Sequence, residues 1–227
     1  MSHIVDIFLQ PGRVFADQKE RPTFILPFLV VAAIAAAFML SYFLSVDPDW
    51  YLDYALSASG KEMSAAEMEQ ARKFMPGASA MGYIGAATAV VGSGIGMLLY
   101  AVYFLVAGKL TGNAVNFKQG LSLATWSSMP AALGSLVGLI GVFMMAPQTP
   151  IESLMLLNLD PLLLELPRDN RWSGLAKGFS LLTFWTVFLA ALGWKTWGRT
   201  SWLQAIVVAL VPNIVIFGGM ALFALLK

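Results

Sequence analysis

Cysteine is absent from the 227 residues, and His3 is the one histidine. Disulfides, thiolate metal sites and cysteine nucleophiles are thereby excluded. Two-histidine metal centres and histidine-based catalytic triads fall with them, and no metal or other cofactor is expected. Charge is scarce as well, at 12% of residues with a net value of +1, which gives no electrostatic case for binding nucleic acid.

The scarcity is also uneven. Residues 22–46, 74–108, 119–151, 178–194 and 200–226 contain no Asp, Glu, Lys or Arg. A hydrocarbon layer takes roughly 20 helical residues to cross, and four of the stretches exceed that. The stretch 178–194 is a little shorter and has a lysine at each end, Lys177 and Lys195. With 58% apolar residues and a mean hydropathy of +0.73, the chain reads as an all-α polytopic integral membrane protein. Five transmembrane helices are expected, at about 24–46, 79–107, 121–146, 176–194 and 202–225, forming a single membrane domain over 22–227.

Residues 1–21 mix charged and apolar side chains without the uninterrupted apolar core of a signal peptide, so insertion is expected to rely on the first span. Ile4, Ile7, Phe8, Val14 and Phe15 share one side of a short helix broken at Pro11-Gly12. That pattern predicts an amphipathic cytoplasmic head lying along the membrane interface. After the first span come Trp50, Tyr51 and Tyr54, then an acidic loop. There Ser64 and Glu67 have capping-box spacing for a surface helix over 65–74, stopped at Pro76-Gly77. The segment 151–166 is apolar but holds Glu152, Asp160, Pro161 and Glu165, so a short interfacial helix or turn is expected instead of a span. Trp194, Trp197 and Trp202 around Lys195 and Arg199 resemble an aromatic belt with snorkelling cations.

Loop charge sets the orientation. With the N-terminus inside, the short inner segments carry Arg13, Lys19, Arg21, Lys109, Lys118, Lys195 and Arg199, while the longer outer loops hold ten of the thirteen acids. The outer side carries an equal count of basic residues, seven, but in longer loops. Loop density under the positive-inside rule therefore favours N-in, C-out, with dual insertion as the alternative.

No carboxylate lies within a charge-free stretch, which removes the intramembrane acid that proton relays and cation sites use. Paired acids such as Asp47 and Asp49 sit in loops, where a solvated face is the ordinary reading, and no enzyme is expected. One polar constellation remains. Pro130 and Pro212 fall about 14–15 Å into spans 3 and 5, and the Gly92-Ser93-Gly94 run reaches a similar depth in span 2. Ser93, Ser127, Ser128 and Asn213 are the polar groups beside these points, so Ser93, Ser127, Ser128, Pro130, Pro212 and Asn213 form a candidate mid-membrane site. Hydroxyls and an amide that only hold helices together would give the same pattern. Gly92 and Gly96 have the spacing of a helix-packing face.

Several motifs together resemble the prokaryotic branch of the Yip1-domain family. They are Ile7-Phe8-x-x-Pro11-x-x-x-Phe15, Phe117-x-x-Gly120-Leu-x-Leu-Ala124 with Met129-Pro130, and Trp185-x-x-x-Leu189-x-x-x-Gly193. The resemblance covers about residues 4–225 and implies a five-helix membrane domain with a cytoplasmic N-terminus. Eukaryotic relatives act in vesicle traffic with prenylated small GTPases, for which this short head offers little docking surface. Many bacterial members have an aspartate five positions before the tryptophan, where this chain has Ser180. The expected role is a non-enzymatic protein of the bacterial inner membrane that organises partners or lipids. A lipid bilayer surrounds it, and a homo-oligomer or a membrane-protein partner is expected. The alternative is a small-molecule or lipid transporter with an uncharged path near spans 3 and 5.

Overall fold

The computed structural model describes residues 3–58, 64–167 and 170–226. Among these residues the regular structure is helical, with one isolated antiparallel bridge between Asn158 and Ser180. Four helices are long and apolar enough to cross a membrane: α3 (Ile25–Ser45), α6 (Ala78–Thr111), the pair α7 (Phe117–Ser127) and α8 (Met129–Val142), and α11 (Trp202–Leu226). A further apolar helix, α10 (Leu182–Gly198), has 17 residues, about 25 Å at 1.5 Å per residue, and lies against α11. The fold is thus an all-α polytopic membrane protein.

α3 packs against α6 and α8 with its aromatic end, Phe38, Tyr42 and Phe43. Close approach depends on glycine at particular points. A methyl group at Gly120 would lie 2.8 Å from the Ala101 carbonyl oxygen, so α7 meets the backbone of α6 directly. Gly138 admits the Phe38 ring in the same way. Gly112, at φ +73, ends α6 in the left-handed conformation glycine favours, and Asn116 starts α7 with a capping box shared with Gln119.

The amino-terminal head packs against the bundle. α1 (His3–Leu9) and α2 (Pro11–Glu20) fold back on each other as a hairpin turning at Gln10. Its apolar side faces protein, with Ile7, Val14 and Phe15 fully buried against α7 and α10. Phe8 meets Trp185 edge-on at 5.4 Å, and Phe15 lies over Gly193. The head is a wedge in the bundle because those same apolar residues complete its main core.

Polar bonds fasten the wedge. Gln18, 1% exposed, accepts from the Thr23 backbone N–H (2.7 Å), the Thr23 hydroxyl (2.8 Å) and the Ser122 hydroxyl (3.0 Å). Trp197 Nε1 donates to the Phe15 carbonyl at 2.6 Å, and Lys19 Nζ donates to the Trp197 carbonyl at 2.8 Å. The expected aromatic belt is therefore corrected. Trp194 and Trp197 are 1% and 6% exposed and belong to the core, leaving Trp202 at the surface under the Lys195 ammonium.

At the opposite end of the bundle, α4 (Pro48–Ala58) and α5 (Ala65–Phe74) follow the first span. α5 has the Ser64–Glu67 capping box read from the sequence. The segment 151–166 forms two short helical turns, Ile151–Leu154 and Asp160–Leu164. It is tied down by Tyr54 and Lys177, which both donate to Glu152 Oε1, at 2.7 and 3.0 Å. Burial works to raise the Glu152 pKa, but the bonds from Tyr54, the backbone and Lys177, with the lysine's charge, outweigh it and hold the carboxyl below its ordinary range.

Candidate functional site

Of the helix breaks that the residue pattern suggested in spans 2, 3 and 5, the one in span 3 is present and the other two are not. α6 runs through Gly92-Ser93-Gly94 without interruption, and α11 runs through Pro212. Proline at 212 removes the N–H that would have met the Val208 carbonyl. The Tyr103 hydroxyl of α6 donates to that carbonyl at 2.7 Å, and Asn213 Nδ2 donates to the Ala209 carbonyl at 3.2 Å. Each lost or weakened helical acceptor is supplied from a side chain, which lets α11 continue.

A break does occur in span 3, between α7 and α8 at Ser128, just before Pro130. Ser127 and Ser128 are occupied there by their own helix: Ser127 Oγ donates to the Leu123 carbonyl at 2.7 Å, and Ser128 Oγ to the Thr125 carbonyl at 2.9 Å. The second break was not anticipated. The stretch expected as a single span at 176–194 consists of α9 (Ser173–Gly178), three non-helical residues 179–181, and α10. Phe179 packs on Phe217 of α11 at 4.9 Å, so this irregular backbone lies alongside a membrane-crossing helix.

A neighbouring segment stabilises the break. The Leu159 N–H donates to the Phe179 carbonyl at 2.9 Å, and the Leu181 N–H donates to the Leu157 carbonyl at 2.8 Å. Asn158 is 7% exposed and donates its side-chain amide to the Lys177 carbonyl at 2.7 Å. Non-helical backbone at membrane depth is tolerated where protein satisfies it or where it lines a cavity. Both conditions are met here.

A partly open cavity of about 280 Å³ lies at this break, between α8, α10 and α11. Its polar lining is Ser135, Asn158, Ser180, Thr183, Thr186 and Asn213, with no charged side chain. Of the six residues expected to form a mid-membrane site, Asn213 alone lines it. Pro130 is buried one residue before Ala131, which does line it. Ser127 and Ser128 are not part of the lining, and Ser93 is half-buried on α6. Ser135, Asn158, Ser180, Thr183 and Thr186 were not picked out as site residues by the sequence reading. The signal available for them was Ser180, the serine at the position where many members of the resembled family have aspartate.

Gly92 and Gly96 make no close packing within the chain, since a methyl group at either would meet nothing within 4 Å. The glycines of α6 that approach α3 are Gly82, Gly85 and Gly94, facing Phe43, Met39 and Phe28. Among the described residues, no group of three or more metal-ligating side chains occurs.

These features define a polytopic helical membrane protein with a wedged amino-terminal hairpin and an uncharged cavity at a helix break. The Yip1 domain matches residues 5–225, and the chain belongs to that family. It is 25% identical to membrane protein YknW of Bacillus subtilis (strain 168) over 223 residues, covering 96% of this chain and 87% of the relative. No solved structure matches.

Proposed function

We propose that the chain is a non-enzymatic protein of the bacterial inner membrane, with five spans and an N-in, C-out orientation, that organises lipids or membrane partners. The observation that supports this over transport is the state of Ser127 and Ser128. Both hydroxyls are bound to their own helix, and the cavity that reaches Asn213 does not include them. An uncharged pocket whose lining stops short of Ser127 and Ser128 suits binding better than passage. The Gly92 and Gly96 face, where an added methyl group would meet nothing within 4 Å, fits contact with a second copy or another membrane protein. Crosslinking in the membrane followed by mass spectrometry is expected to capture a reproducible neighbour through α6. A chain crosslinked at random would overturn the reading.

Transport of a small molecule or lipid is the second reading, favoured by the cavity beside the broken fourth span, a construction many transporters use. Flux or lipid scrambling by the purified chain in liposomes would establish it. None across a broad panel would remove it.

A further inference from the structure

Many helix hydroxyls in this protein are bonded to their own backbone. Within or at the ends of helices, Thr111, Thr125, Ser127, Ser128 and Thr196 donate to a carbonyl three or four residues back. That is the ordinary fate of a hydroxyl in a membrane helix, where no water is available to satisfy it. The three hydroxyls that line the cavity from the helices α8 and α10 make no such bond, a state that Ser41 of α3 and Ser93 of α6 share, and they are set apart by standing together around one space. Ser135, Thr183 and Thr186 are half-buried and have no side-chain hydrogen bond among the described residues. Asn158 and Asn213 use their amide nitrogens on Lys177 and Ala209 carbonyls, and their side-chain oxygens have no partner there. Three hydroxyls and two asparagine side chains thus line one space, with hydrogen-bonding capacity left over among the described residues.

From this we infer that the cavity at the fourth-span break binds a neutral polyol group, a sugar ring or glycerol unit carrying several hydroxyls. The donor and acceptor inventory selects the class. Amide oxygens accept only, while serine and threonine hydroxyls both donate and accept, so the complement is a group rich in hydroxyl donors. A phosphate finds no cation in the lining and an amine finds no carboxylate. The nearest charged pair, Lys177 with Glu152, is already closed on itself at 3.0 Å. At about 280 Å³ the space is at the small end of ligand pockets and suits one ring or one glycerol. The inference deepens the lipid-organising reading and rests on it only for the source of the polyol, which is either the headgroup of a membrane glycolipid or a free solute.

The test uses the full chain in nanodiscs of phosphatidylcholine doped with monoglucosyl diacylglycerol of the same acyl chains. Native mass spectrometry counts retained lipids, and methyl glucoside serves as the soluble probe. Preferential retention of the glucosyl lipid, unaffected by methyl glucoside, identifies a headgroup site. Displacement by millimolar methyl glucoside identifies a site that takes the polyol itself. Either supports the inference when the Thr183→Val/Thr186→Val double variant, nearly unchanged in volume, weakens binding about tenfold or more. Ser135→Ala provides a second, smaller change should the double variant fold poorly. Equal retention of both lipids with no methyl glucoside binding overturns the inference, as does binding that survives both variants unchanged. Such a failure leaves the crosslinking result untouched, so the two readings fail separately.

Discussion

The Tyr103 hydroxyl sits 2.7 Å from the Val208 carbonyl, the acceptor that Pro212 leaves without its helical N–H. A phenol on α6 therefore repairs a defect on α11, and the two residues form one structural unit across two helices. Tyr103→Phe is expected to destabilise the protein by about 1–3 kcal/mol, the usual cost of leaving a buried carbonyl unpaired. Pro212→Ala restores the N–H, so Tyr103→Phe should cost much less in that background. A double-mutant cycle of thermal unfolding in detergent measures this coupling, and additive effects would refute it.

The head's docking depends on Gln18, whose one side-chain oxygen collects three donors. Gln18→Leu leaves the Thr23 and Ser122 groups without that acceptor in a buried place. Limited proteolysis is expected to cleave at Arg13 or Lys19 several-fold faster in the variant, while Gln18→Glu, which keeps an acceptor, should be less affected. Equal protection in all three proteins would mean that the apolar contacts alone hold the wedge.

Glycine substitutions on α6 and α7 should divide cleanly. Gly120→Ala forces a methyl group toward the Ala101 carbonyl and is expected to cost about 1–3 kcal/mol by overpacking. Gly92→Ala and Gly96→Ala meet no atom of the same chain, so the stability of a single chain should stay within about 0.5 kcal/mol of the parent. A changed oligomer distribution in the second pair, read by single-molecule photobleaching in bilayers, would place that face between copies.

Glu152 gives a pH dependence. Its folded-state pKa is lowered, so the carboxylate contributes stability that is complete above the ordinary value of 4.5 and is lost as pH falls through the folded value. Hydrogen exchange of residues 151–166 is expected to accelerate below about pH 4.5 in the parent and to be fast already at neutral pH in Glu152→Gln. A flat profile in the parent would remove the ion pair as the clamp.

The long charge-free runs carried the fold because composition alone decides whether a helix enters lipid, and α3, α6 and α11 lie where those runs predicted. The Ser64 cap was equally legible, since both partners stand in one local motif. Contacts between distant segments were not. Ile7 and Phe15 read as lipid-facing because an amphipathic helix looks the same whether its apolar side meets acyl chains or Leu123 and Gly193. Pro212 and the glycines around Ser93 read as breaks, yet Tyr103 rescues the one and α3 packs over Gly94 beside the other. The second break, at residues 179–181, contains no proline or glycine. It is created by pairing with 157–159, which no local signal announces. The cavity stayed hidden for the same reason.

The hairpin wedge also sets a constraint on biogenesis. Phe15 and Trp197 are 182 residues apart, so the bond that seats the head cannot form until α10 has left the ribosome. Ile7, Val14 and Phe15, made ahead of the spans, must wait while α3, α6, α7 and α8 are threaded into the bilayer. The entry point of the chain is thus closed by its penultimate helix, and a truncated product lacking α10 would carry an open seam and an unseated head. Such a fragment exposes apolar core surface, so the seating of the head depends on α10 having been made.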